Sequence, residues 1–204
     1  MKNYNKRYVL ALDPSGNFLE GKGTTGWCVF DCLDDRVTIV GEIAAATVLS
    51  FEEHWAAHLA LIDSVVTRYG VENVHIVIED YLLYHSKAQS QTNSRMETPQ
   101  LLGVLKFHCW MNSIDYSLQT ANEVKERWAN EVLQHKGYIK KDGRGYESPL
   151  GHKPLSRHSA DAVRHAVHFA TFKNAKEQSN VRQTENDSNP VRRAPLQTRS
   201  PAKR

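Results

Sequence analysis

Residues 7–13 (RYVLALD) form a short apolar run that stops at a carboxylate and passes into the turn-forming Pro14-Ser15-Gly16. That pattern predicts a strand. Residues 24–31 and 37–43 predict two more, with Asp34-Asp35 as the hairpin turn between them. Ser50 is the expected cap of a helix, and Glu53, three residues on, completes a capping box. Behind it Trp55, Leu59, Ile62 and Val66 repeat at helical spacing. Residues 73–79 (NVHIVIE) predict a fourth, buried strand that again ends in a carboxylate. A helix over 98–111, a short strand over 116–119, a helix over 122–135 and a last helix over 157–172 complete the order. The expected fold class is α/β: a mixed five-stranded sheet flanked by helices.

Composition narrows the picture. The chain has 204 residues, 40% of them hydrophobic, enough for one domain with a real core and an appendage. Wholesale disorder is excluded. No run approaches the roughly 18 apolar residues of a membrane span. The polar N-terminus leads straight into a strand, so no secretory signal is expected. Three cysteines, Cys28, Cys32 and Cys109, fit free thiols in a reducing cytoplasm rather than a disulfide framework. Strand packing accounts for Cys28 and Cys32, which lack the further ligands of a zinc site.

Charge is unevenly spread. The formal net charge is +3, but residues 173–204 carry eight basic and three acidic side chains, a net of +5, leaving −2 on residues 1–172. The last segment is rich in Asn, Gln, Ser, Pro and Arg and has no periodicity, so a disordered basic tail is expected there. Residues 1–172 are the expected folded domain.

Asp13 and Glu79 each end a predicted strand, and in open α/β sheets ligand sites gather beyond those ends. Either acid alone is ordinarily a solvated turn residue. The third element is R-H-S-A-D-A over 157–162, where His158 and Asp161, three apart, share a helix face. A helix start favours the acid through its dipole, but it does not ask for the histidine. Together the three carboxylates and His158 make a cage suited to hard divalent cations, because like charges this close need a counter-ion.

The blocks L-A-L-D-P-S-G…T-T-G-W, I-V-I-E-D-Y and H-S-A-D-A-V resemble the three catalytic blocks of RuvC-type Holliday junction resolvases, within the ribonuclease H-like superfamily. The resemblance spans roughly residues 7–172 and includes the order of strands and helices. It implies a homodimeric, Mg²⁺-dependent endonuclease that nicks four-way DNA junctions in recombination and repair. Two Mg²⁺ ions per site are implied, with Mn²⁺ as a substitute. By matching position Asp13, Glu79 and Asp161 become catalytic metal ligands, and His158 takes the place one turn earlier where the family carries an acid or a histidine. Two readings stay open beside it: a ribonuclease H or flap and fork nuclease of the same fold, and a DNA-binding module without catalysis.

Tyr81, Leu82 and Tyr84 fall where the family places an aromatic wedge, with core packing as the alternative. Lys87 and Arg95 lie in a polar stretch, residues 86–95, and are candidates for phosphate contact. So are Lys125, Lys140, Lys141, Arg144, Lys153 and Arg157 in the basic second half, where such contacts position DNA without reading it. His165 and His168 continue the His158–Asp161 stripe; a polar stripe against the sheet, with Val163, Val167 and Ala170 facing the core, is expected over a second metal site. Three departures from the family pattern, a longer loop over 16–23, Ser15 after Asp-Pro, and a longer segment over 140–153, bear on junction selectivity and fit a phage-encoded relative.

Overall fold

In the computed structural model, which describes residues 6–18, 21–81, 96–143, 145–151 and 154–174, the chain opens with an antiparallel meander. Its strands are β1 (Tyr8–Asp13), β2 (Thr24–Asp31) and β3 (Arg36–Ala44). β4 (Val74–Glu79) then pairs in parallel with β1, and β5 (Tyr116–Gln119) in parallel with β4, giving the order β3-β2-β1-β4-β5. β1 is therefore central and covered on both faces, which is why it reads as an unbroken apolar run rather than an alternation. Val9 and Ala11 enter one core cluster, Leu10 and Leu12 the other.

The Leu10–Leu12 face is covered by α1 (Phe51–Tyr69) and α2 (Glu97–Met111), through Ile62 and Val65 of the first and Leu101, Leu105 and Cys109 of the second. The opposite face is covered by α3 (Ala121–Lys125), α4 (Asn130–His135) and α5 (Arg157–His168). α5 packs with small residues, Ala162, Val163, Ala166 and Val167, all fully buried. The three thiols are packed as expected, Cys28 and Cys109 buried and Cys32 half-buried. Among the described residues no helix is long and apolar enough to cross a membrane.

Four expectations need correction. The segment 122–135 is two short helices, not one. Arg164 of α5 hydrogen-bonds the Trp128 carbonyl at 2.7 Å and also binds the Asn130 side chain, so a tertiary contact takes the backbone group that a continuous helix would have used. The buried stripe of α1 is His54, His58, Ile62 and Val65, whereas Trp55, Leu59 and Val66 are only half-buried. Ser50 caps α1 by accepting the Glu53 N–H, but the Glu53 carboxylate takes the N–H of Leu49 rather than that of Ser50, so the box is only half made. The last helix turns π-helical over Phe169–Asn174, and Asn174 is buried, its side-chain amide donating to the Lys6 carbonyl at 2.9 Å. The helical run thus continues to Asn174, two residues past its expected end, while residues 175–204 lie outside the described residues.

One element escaped the pattern altogether. β6 (Lys140–Asp142) and β7 (Gly145–Glu147) form a small antiparallel hairpin within the long segment before α5. Its strands are too short and too exposed to carry a hydrophobic period.

Candidate active site

Strand alternation decides which side chains meet α5. Val9, Ala11 and Val77 face its core cluster, so Asp13 and Glu79, two residues further along β1 and β4, emerge on the same side. Leu12 pairs with Ile78, so the two acids lie side by side just beyond the last paired positions. α5 crosses above them, capped by Ser156, whose hydroxyl accepts the Ser159 N–H at 3.1 Å. Its crossing is close because β2 carries Gly26 opposite Asp13; a Cβ there would lie 2.1 Å from the His158 carbonyl carbon.

The result is a triad of carboxylates. Oxygens of Asp13, Glu79 and Asp161 lie within 4.8 Å of one another. Asp13 and Asp161 are buried and Glu79 is half-buried. His158 Nδ1 lies 2.8 Å from Asp13 Oδ2, with the ring 40% exposed. Burial, with the nearby charges of Glu79 and Asp161, pushes the Asp13 carboxyl above its ordinary range against the pull of that hydrogen bond. The same hydrogen bond raises His158. Burial also acts to raise Glu79, but the hydrogen bond and charge of His165, aided by Lys125, outweigh it and leave the group below its ordinary range.

All four acidic-site residues expected from sequence are brought together. The surrounding shell was not foreseen. Lys125, expected at a phosphate, has its Nζ 3.3 Å from Asp161 Oδ2, and Arg164 Nη1 binds the other oxygen of that carboxylate. His165, fully buried, lies with Nε2 2.9 Å from Glu79 Oε2 and Nδ1 3.0 Å from Gln119 Oε1. A signal for it existed in the stripe 158–161–165, but nothing along the chain named Glu79 as its partner.

Hydrogen bonds from β2 and α1 hold the turn after Asp13. The Ser15 N–H donates to Thr25 Oγ1 at 3.1 Å, and Thr25 in turn hydrogen-bonds His58 Nε2 at 2.7 Å. His58 Nδ1 is 2.7 Å from the His54 carbonyl, and His54 Nε2 is 3.2 Å from the Ser15 carbonyl. The start of the following loop is tied down too: Gly16 N–H donates to Thr98 Oγ1 and Phe18 N–H to the Glu97 carboxylate. A polar residue repeated at i and i+4 on a buried helix face was the available sign of His54 and His58.

The expected DNA contacts divide. Lys140 and Lys141 are exposed on the β6–β7 hairpin, and Arg157 is exposed on the first turn of α5. Tyr81 is half-buried and packs against the α1–α2 core cluster. Asp80 lies past the end of β4, its N–H bonded to the Gln119 carbonyl. Leu82, Tyr84, Lys87, Arg95, Arg144 and Lys153 lie outside the described residues.

No protein-family model matches the chain, and no curated protein matches it in sequence. Solved structures do match. Thermus thermophilus RuvC in complex with a Holliday junction substrate superposes over 83% of this chain and 96% of its own, with 16% identity and a TM-score of 0.59. A further Thermus thermophilus RuvC structure covers 83% and 97%, with 15% identity and a TM-score of 0.56. This likeness shows the fold: the chain has the ribonuclease H-like architecture of RuvC, as the sequence resemblance implied.

Proposed function

We propose that the protein is a metal-dependent, structure-selective DNA endonuclease that resolves four-way junctions as a homodimer. The observation that carries this reading is the convergence of Asp13, Glu79 and Asp161 at the strand ends of a RuvC-like sheet, their oxygens within 4.8 Å of one another. A structure of this fold holding a Holliday junction supports branched DNA as the substrate class.

The donor set fits Mg²⁺. It offers hard oxygen ligands without a thiolate, and three carboxylates leave coordination positions for water and phosphate. When bound, two such ions supply an activated water for in-line attack and stabilise the departing 3′ oxygen, with Mn²⁺ as a substitute. The chain's own groups prepare that arrangement. Asp13 and Glu79 approach from neighbouring strands and Asp161 from the helix above them. Lys125 and Arg164 lower the cost of crowding three negative groups. His158 engages Asp13 through Nδ1, which leaves Nε2 to bind a metal or to hand a proton to the leaving oxygen.

Outside the site, Lys140, Lys141 and Arg157 are exposed and suited to backbone phosphates. Phe107, Trp110 and Met111 are exposed by 62, 69 and 58% along α2, an apolar strip suited to a second copy of the chain. Two copies would present two cutting sites to one junction, and the proposed location is the cytoplasm, where the free Cys28, Cys32 and Cys109 stay reduced.

The test is Mg²⁺-dependent cleavage of junction, fork and RNA–DNA hybrid substrates, with Asp13→Asn beside the wild type. Junction cutting that Asp13→Asn abolishes supports the proposal. Preferential cutting of the hybrid or the fork moves the protein to a ribonuclease H or a flap and fork nuclease. No cutting of any substrate under Mg²⁺ or Mn²⁺ leaves a binding module.

A further inference from the structure

One polar stripe of α5 lies over the ends of the central strands. His158 stands over the end of β1, Asp161 over the gap between β1 and β4, and His165 over the ends of β4 and β5. Glu79 and Gln119 are direct partners in the parallel β4–β5 pairing, so one ring reaches both at once. The His165 side chain is fully buried, and each of its nitrogens lies at hydrogen-bond distance from one of these two residues. An ionised carboxylate offers only acceptors, so Nε2 carries the proton and donates to Glu79 Oε2. Nδ1 is then an acceptor, and the Gln119 side-chain amide satisfies it by turning its otherwise unpartnered NH2 toward the ring, which fixes the ring plane.

We infer that His165 is a positioning residue: its Nε2–H holds one oxygen of Glu79 and turns the other toward Asp13 and Asp161, with Gln119 locking the ring from behind. The inference rests on the proposed metal-binding role of the triad and adds to it a residue that tunes how well the site holds its ion. The physical need is specific. Glu79 has a longer, more flexible side chain than either aspartate, and it sits at the half-buried end of β4 with 17% of its side chain accessible. Without a donor at Oε2 its carboxylate has rotamers that leave the cluster, and every visit to them removes one of three ligands. Hydrogen-bonded partners behind metal ligands typically change metal affinity or activity by about 10- to 100-fold.

Two substitutions separate positioning from packing. The side-chain amide of His165→Gln reaches the place of Nε2 and keeps the donor to Glu79. That of His165→Asn reaches only the place of Nδ1, keeping the contact to Gln119 and losing Glu79. Mn²⁺ binding to the full-length protein is measured by titration calorimetry without DNA, alongside Mg²⁺-dependent cleavage and urea unfolding. His165→Asn is expected to weaken Mn²⁺ binding by about 10- to 100-fold and to lower kcat with little change in KM for DNA. His165→Gln is expected to recover most of both. Gln119→Met, which leaves His165 and every carboxylate in place but frees the ring, is expected to give a smaller loss in the same direction.

Wild-type Mn²⁺ affinity in both His165→Asn and Gln119→Met overturns the inference, as does an equal loss in His165→Asn and His165→Gln. Asp13→Asn is titrated in parallel. If it binds Mn²⁺ as the wild type does, the metal-binding reading of the triad falls, and the inference with it. If Asp13→Asn loses binding while His165→Asn keeps it, only the inference falls.

Discussion

Gly26→Ala is the smallest change expected to damage the site, and its size can be worked out. Gly26 faces the first turn of α5, and an added Cβ would lie 2.1 Å from the His158 carbonyl carbon, 2.2 Å from its oxygen and 2.3 Å from the Ser159 nitrogen. Ordinary van der Waals contact begins near 3.4 Å, so α5 must retreat by about 1.1–1.3 Å. All three atoms are backbone, so no side chain can rotate away to absorb the strain. The 2.8 Å contact from His158 to Asp13 would then stretch past hydrogen-bond length, and Asp161 would leave the cluster. Overpacking of this kind costs about 1–3 kcal/mol, reduced by the about 0.5–1 kcal/mol that alanine gains over glycine in a strand. A displacement near 1 Å at reacting groups costs about 100-fold in rate. The expected result is therefore modest destabilisation in urea, a much larger loss of junction cleavage, and weakened Mn²⁺ binding. Gly103→Ala serves as the control, since a Cβ on that exposed face of α2 meets nothing within 4 Å. Gly26→Ala with wild-type cleavage and Mn²⁺ affinity would refute the claim that close approach of α5 builds the site.

Three further outcomes are expected. Burial lowers the pKa of His58 to about 4 from 6.5, so its neutral form contributes stability above pH 6.5 that is lost as pH falls toward 4. Between pH 7.5 and 4.5 the wild type should lose about 2–3 kcal/mol more than His58→Gln in urea unfolding, and equal losses would show that the ring does not titrate this way. Truncation after Asn174 removes seven of the eight basic residues of the segment 173–204 and should lower DNA affinity at low salt without changing junction choice; gel-shift titrations against junction and duplex at two salt concentrations check both halves. Replacing Phe107 and Trp110 together by serine should convert a dimer to a monomer in sedimentation while leaving the urea midpoint nearly unchanged, because both side chains are mostly exposed; an unaltered sedimentation coefficient places any dimer contact elsewhere.

What could be read along the chain was what the chain repeats or punctuates. β1 and β4 are largely apolar runs that end in acids, broken in β4 only by His75, and period-two alternation was enough to bring Asp13 and Glu79 to one face. What could not be read depends on a distant partner. The break between α3 and α4 is made by Arg164, which follows Trp128 by 36 residues. The stripe of α1 looked apolar because Trp55, Leu59 and Val66 have helical spacing, yet the face turned inward carries His54 and His58. Hydrophobicity ranks those two as surface residues, and hydrogen bonds to Thr25, the Ser15 carbonyl and the His54 carbonyl offset the cost of holding them inside. The β6–β7 hairpin turns one half-buried aromatic, Tyr146, toward the core, too little to produce a pattern.

The same distinction explains why the cations around the triad matter more than their sequence positions suggest. Three carboxylates this close repel one another, and burial strengthens the repulsion because less water screens it. Lys125 and Arg164 both bind Asp161, with Lys125 also acting on Glu79, while His158 and His165 address Asp13 and Glu79. Each acid thus has at least one partner holding an oxygen, and the partners come from α3 and α5 rather than from the strands that supply two of the acids. Metal affinity is then a balance between the acids' pull on an added cation and these built-in partners, so it depends on how α5 sits. Gly26, Gln119 and Trp128, which touch α5 or the side chains it carries, belong to the determinants of the site as much as the residues that face its centre.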